Sequence, residues 1–322
     1  MTNLIAHQLT PLHIAGNTTD KQKELLKESL EGAVDRVYRT TLKQLDQNRL
    51  ELVLELEDKL KAELASAAQK IIQRLTESDK FIAEETISRR EYPASYRVRP
   101  VEAQVTALRE AFPALGGCIE RLARNQVPEQ AEAWFAVPRW QALAPTYNDA
   151  VGMVADVLES KRRFSNRIAG NLGPKYLRQN ERTRLAEDIL AKQQPGSDIL
   201  VLAAQFGLRH RGCSARRARV VMAGNEFGLG AFALGCMLIT HPERLSLIDT
   251  LMIDCSGDEY SLRADTVFDR VPLFDFDLGG LEFSVFFDDR ARDLWGTPTA
   301  FAVSLSLEKT PLAISSAVDR KV

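Results

Sequence analysis

The chain has 322 residues, 45% of them hydrophobic and 27% charged, with a formal net charge of −2, which is ordinary globular composition and excludes a protein that coats nucleic acid over its whole surface. The charge is nonetheless lopsided: residues 161–219 carry fourteen Lys/Arg against four Asp/Glu, and residues 237–296 carry five against thirteen, so any polyanion contact must be local. Cys118, Cys213, Cys236 and Cys255 stand singly, which argues against a disulfide framework or a structural zinc site and for a reducing cytosol. The N-terminus lacks a basic, apolar leader, and the longest later apolar stretch, residues 231–239, falls short of the ~20 residues that span a bilayer, so a cytoplasmic protein with no membrane partner is expected.

Thr19-Asp20-Lys21-Gln22 has the pattern of a capping box and opens a long helical zone. Apolar residues at Val53, Leu56, Leu60, Leu64, Ala67, Ile71 and Leu75 step by 3, 4, 4, 3, 4 and 4, an eleven-residue period whose stripe runs nearly straight along a helix. No proline lies between Pro11 and Pro93, so helix can persist to about Arg90, with joints at Gly32 and at Asp46-Gln47-Asn48-Arg49. Two antiparallel helices of one chain would bury such a stripe against itself; the alternative is a second copy, which supplies a partner without further assumptions, and a homo-oligomer is expected. Tyr92-Pro93 and Arg99-Pro100 bracket an extended linker, because the residue before proline is pushed out of helical geometry.

Short helices are predicted over residues 101–112 and 115–124, then a packed loop holding Trp134, Phe135 and Trp140, then helices over 148–167 and 175–192. After Pro195-Gly196 the character changes: residues 199–203, 218–223 and 251–254 read as short strands, while 273–287 and 299–307 alternate in period two. The fold class is therefore α+β. Three regions are expected: 1–92 for self-association, 93–196 helical, and 197–322 a mixed α/β part with a basic loop and an acidic antiparallel hairpin.

The densest basic cluster, Arg209, Arg211, Arg216, Arg217 and Arg219, lies around Gly212 with no acid among them. Guanidinium forks grip two phosphate oxygens at once, so these five are the candidates for nucleic-acid backbone, with Arg162, Arg163 and Arg182 enlarging the patch from neighbouring helices. No helix-turn-helix, zinc-finger or RNA-recognition signature accompanies them, so contact with DNA or RNA would be to the backbone. The bland reading gives the same arginines to the acidic block downstream, within one subunit or between copies.

Three weaker constellations follow. Gly228-x-Gly230-x-x-Ala233 between an expected strand and helix, with Asp254 further on, has part of a dinucleotide layout, but Glu226 stands where pyrophosphate would, and no cofactor is assigned. Asp254, Asp275, Asp277 and Glu282 cluster near strand ends as a candidate metal set for a nuclease. A Gly279-Gly280 turn in the hairpin would set Asp277 directly opposite Glu282. Cys255 or Ser256 with His241 can in principle form a nucleophile and base, although His241-Pro242 reads better as a helix end. The leading expectation is a non-enzymatic, bacterial-type cytosolic protein that self-associates and contacts nucleic acid. The alternatives are a structural or assembly protein with charge-complementary subunit contacts, and a metal-dependent nuclease.

Overall fold

The computed structural model describes residues 80–302 apart from Asp265, together with Glu28, Gly32, Arg39, Asp46, Gln47 and Lys59. Contacts divide the chain into residues 1–74 and 75–322. Of the first unit, Glu28, Gly32, Arg39, Gln47 and Lys59 are helical and exposed, and Asp46 is not helical. The capping box and the eleven-residue stripe lie outside the described residues.

In the second unit the expected helix does not reach Arg90. Phe81 adopts a left-handed φ of 60°, a single 3-10 turn spans Ile82–Glu84, and residues 86–92 run extended as a strap over the body. Helices follow at α1 (Val101–Ala111), α2 (Tyr147–Lys161), α3 (Glu181–Gln193), α4 (Ala215–Val221) and α5 (Ala231–Thr240). Strands are β1 (Ala133–Pro138), β2 (Phe164–Asn166), β3 (Leu177–Gln179), β4 (Ile199–Gln205), β5 (Glu226–Gly228), β6 (Met252–Asp254), β7 (Asp258–Tyr260), β8 (Arg270–Asp277), β9 (Gly280–Phe287), β10 (Trp295–Gly296) and β11 (Thr299–Phe301). The unit is thus α+β.

One antiparallel sheet has the order β1-β4-β11-β5; the other runs β10-β6-β8-β7-β3, with β9 on β8 and β2 on β9. All seven residues of β4 are buried, as are all ten of α5, a helix apolar on every side because it runs through the interior. Among the described residues a hydrophobic core takes side chains from α1, β1, α2, β4, α5 and the hairpin, on both sides of residue 196.

Local chemistry sets the helix starts. The Thr146 hydroxyl caps α2 by accepting from Asp149 N–H, the Asn180 side chain caps α3 through Arg182 N–H, and the Ser214 hydroxyl caps α4 through Arg217 N–H. That last cap explains one correction: residues 218–223, expected as a strand, belong mostly to α4, whose backbone N–H groups Ser214 satisfies. Three further expectations shift. Helix over 148–167 stops at Lys161 and gives way to β2, helix over 175–192 starts only at Glu181 after β3, and residues 115–124 hold only a 3-10 turn, Glu120–Arg124. Trp134 and Phe135 lie in a strand rather than a loop, both in the core.

The hairpin forms, two places off the expected register. Leu278 and Gly279 take φ of 47° and 76° and make the turn, so Asp277 pairs with Gly280, Phe276 with Leu281, Asp275 with Glu282 and Phe274 with Phe283. Positive φ at both central residues matches strand twist, and the register keeps Phe274 stacked on Phe283, 4.7 Å between centroids.

Side-chain amides close two backbone edges. On α1, Gln104 is wholly buried; its oxygen accepts from Ala136 N–H at 2.9 Å and its nitrogen donates to the Trp134 carbonyl at 3.2 Å, completing the free side of β1. Gln194 does the same for β4, accepting from Val201 N–H at 2.8 Å and donating to the Val201 carbonyl at 2.9 Å.

Candidate functional site

The basic cluster begins where β4 ends. Gly207 turns the chain with φ of 124°, Leu208–His210 make a 3-10 turn, and Gly212, at φ 79°, leads to the Ser214 cap and α4. A Cβ at Gly212 would collide with the Thr86 carbonyl, so glycine lets the strap lie directly on this loop. Backbone bonds then fasten the two, Thr86 N–H to the Gly212 carbonyl at 2.8 Å and Ser214 N–H to the Glu84 carbonyl at 3.0 Å.

All five arginines of the cluster meet acids of their own chain. Arg211 Nη1 lies 2.5 Å from Glu91, Arg217 Nε 2.5 Å from Glu85, Arg219 Nη1 3.0 Å from Asp288 and Arg209 Nε 3.2 Å from Glu226, while Arg216 pairs with Glu84. Several further donors are engaged as well. Arg217 Nη1 donates to the Lys80 carbonyl at 2.9 Å, Arg219 donates to the carbonyls of Ser256 and Asp258, and Arg216 covers the Phe81 ring at 4.1 Å. The hydrogen bond to Glu84 outweighs partial burial and raises the Arg216 pKa. Glu84 also accepts from the Ser214 hydroxyl at 2.7 Å.

Arg162 and Arg182, expected to widen the patch, serve the backbone: Arg162 donates to the carbonyls of Pro242 and Leu245 at 3.0 and 2.7 Å, and Arg182 to that of Ala223. Arg163 is exposed and lies against Gly280 of the hairpin. The eight residues therefore do not line one open cationic face. Three of them, Arg211, Arg216 and Arg217, form a clamp over the strap.

Beneath the clamp sits a buried polar centre that sequence reasoning used only as an objection to a nucleotide. Glu226 Oε1 accepts from Thr299 Oγ1 at 2.6 Å and pairs with His210 Nε2 at 2.7 Å, and Oε2 accepts from Ala223 N–H at 3.0 Å. Burial pushes this carboxyl up, but the hydrogen bonds and the attraction to His210 win and hold it at about 2. Gln205 extends the network to Thr299 and to the Thr297 carbonyl.

The glycine pair belongs to a different arrangement. The strands flanking α5, β5 and β6, lie in different sheets rather than side by side and parallel as a dinucleotide unit requires, and Gly228 is packed on Ser256 and Gly257. The N-terminus of α5 is filled by the Asp258 carboxyl, which accepts from Ala231 N–H at 2.6 Å and from the Tyr147 hydroxyl at 2.7 Å. No room is left there for pyrophosphate.

The acidic quartet is only partly assembled. Asp275 faces Glu282 across the hairpin, with Arg167 at 2.9 Å from Glu282; Asp277 accepts from Leu278 N–H; Asp254 is buried on β6. Among the described residues no three His, Cys, Asp or Glu side chains converge as a metal would need. Burial, then the neighbouring Glu282, pushes Asp275 up to about 6, and burial pushes Asp254 up to about 8. Both ring nitrogens of His241 are occupied: Nε2 accepts from Arg99 N–H at 3.0 Å, leaving the proton on Nδ1 beside Thr240 and the Met237 carbonyl. Burial lowers it to about 4, so it offers no base to Cys255 or Ser256.

Of the acids that sequence reasoning missed, Glu84 and Glu85 lie in the stretch read as helix and Glu91 just past its end. Their signal was present, an acidic trio just before the Tyr92-Pro93 break, yet nothing local tied it to arginines more than a hundred residues away. Compared with known proteins, the chain matches no family model, no curated protein and no solved structure.

Proposed function

We propose that the chain is a non-enzymatic structural protein, an assembly component whose residues 1–74 bring copies together and whose residues 75–302 form the body each copy carries. The observation that carries this reading is the clamp: the arginines most suited to phosphate are neutralised by Glu84, Glu85 and Glu91 of the strap within the second unit. A carboxylate that already neutralises an arginine weakens its attraction to a phosphate, so the clamp disfavours the nucleic-acid reading and suggests a mechanical role for the cluster instead. Within the chain, Arg219 also meets Asp288 of the downstream acidic block.

Self-association is assigned to the apolar stripe from Val53 to Leu75, whose eleven-residue spacing suits side-by-side helices. The four free cysteines agree with a reducing compartment, and among the described residues no helix is long and apolar enough to cross a membrane.

Light scattering on the full chain tests the reading. The wild type is expected well above its 36.0 kDa monomer mass, and a Leu56→Asp, Leu60→Asp, Leu64→Asp variant near it. In parallel, 30-base-pair DNA at about 50 mM salt, where backbone binding is strongest, should cause no mobility shift. A shift abolished by Arg216→Glu and Arg217→Glu would return the cluster to nucleic acid, and a monomeric wild type would remove the assembly role.

A further inference from the structure

The place where the last strand stops points to an intramolecular docking site. β11 lies between β4 and β5, and its ladder with β5 continues one step, to the bond from Ala302 N–H to the Asn225 carbonyl at 2.8 Å. Beyond that both neighbours are closed. Phe301 pairs with Ala203, so residue 303 would face Val201, whose N–H and carbonyl are already bonded to the Gln194 side chain. On the other side, Ala223 N–H donates to Glu226 and its carbonyl accepts from Glu226 N–H and Arg182. Among the described residues, the backbone groups of β4 and of Ala223 that lie next in line are thus already bonded.

Ala302 instead forms part of the wall of an open groove of about 530 Å³ between α3 and residues 224–227. The α3 wall presents Leu185 and Ile189, four residues apart on one face and each 47% exposed. The sequence that follows reads Val303-Ser304-Leu305-Ser306-Leu307, apolar at every second position, and 20 residues follow Ala302 in all.

We propose that this groove is the seat of the chain's own residues 303–307, with Val303, Leu305 and Leu307 covering Leu185 and Ile189. Three observations favour this occupant over a second molecule. The segment starts at the groove wall, its apolar spacing supplies what the half-exposed leucine and isoleucine lack, and tethering through Ala302 gives it an effective concentration on the order of millimolar.

Hydrogen exchange on the full-length protein tests the proposal. Leu305→Asp with Leu307→Asp is expected to speed exchange of the α3 amides several-fold and leave α5 unchanged, whereas Ser304→Asp with Ser306→Asp leaves α3 as in the wild type. As a second measurement, Leu185→Cys with Leu305→Cys, oxidised, should give a cross-link within one chain, a shifted band at monomer mass on a non-reducing gel. Unchanged α3 exchange in the leucine variant, an equal effect of the serine variant, or a cross-link that is absent or joins two molecules would each overturn it.

Discussion

Arg217 and Glu85 meet at 2.5 Å although 132 residues separate them. The arginine side chain is only 7% exposed, while Glu85 is 41% exposed, so the cation is the desolvated partner. Removing the arginine frees a carboxylate that water can take, whereas removing the acid leaves a buried charge with one fewer anion to balance it.

Arg217→Ala should therefore cost about 1.5–3 kcal/mol in urea unfolding, the usual range for hydrogen bonds to a charged group. Its clearer effect falls on the strap. Trypsin should cut faster after Arg89 and Arg90, and cutting of the wild type should quicken between 50 mM and 1 M salt as screening loosens the exposed pairs. Equal cleavage rates for variant and wild type would show that the backbone bonds at Thr86 and Ser214 hold the strap unaided.

At the hairpin, like charges face each other at Asp275 and Glu282. Asp275→Asn removes that repulsion and the burial of a carboxyl already displaced to about 6, so it should leave stability unchanged or raise it by up to ~1 kcal/mol at pH 7.5. Asp277→Asn, now known to lie opposite Gly280, should do less. Thermal melts of the two variants side by side distinguish this register from the one in which Asp277 faces Glu282.

Acid and alkaline limbs of the stability profile should have separate origins. Burial holds Asp254 at about 8 and both Asp258 and Glu187 at about 7, above unfolded values near 4. Between those limits the folded chain binds more protons than the unfolded one, so these groups make stability fall as pH rises from ~4 to ~8. Glu226, held at about 2, works in the other direction: its contribution is present above the unfolded value near 4.3 and is lost as pH drops towards 2. Asp254→Asn should flatten the alkaline limb, raising Tm at pH 8.5 by roughly 2–4 °C relative to its effect at pH 5. An identical Tm difference at both pH values would mean Asp254 does not titrate in the fold.

Gln194→Ala leaves Val201 with an unbonded N–H and carbonyl in a wholly buried strand, which should cost about 1–3 kcal/mol by chemical denaturation. Gln194→Glu can still accept but cannot donate, and should recover only part of that loss. Full recovery by glutamate would show the carbonyl contact to be dispensable.

Period-two and period-3.6 patterns made β4, α1 and the hairpin readable, because each buries one face or both and the apolar spacing records it. Residues 218–223 misled because their valines satisfy either pattern; the deciding feature was the Ser214 hydroxyl three residues ahead of the Arg217 amide. The Gly-Gly pair misled in the same way, since the turn that formed places Leu278 at positive φ, where glycine is the usual occupant. The arginines of the candidate site were legible as a cluster but not in their destination. Pairing Arg211, Arg216 and Arg217 with Glu91, Glu84 and Glu85 depends on a loop and a strap that only the assembled body brings together, and charge counts along the chain carry no such geometry.

The guanidinium of Arg217 holds both ends of one short stretch, the Lys80 carbonyl and the Glu85 carboxylate. Tension arriving along the polypeptide at Lys80 is thus shared between a neutral and a charged anchor before it reaches any β-ladder.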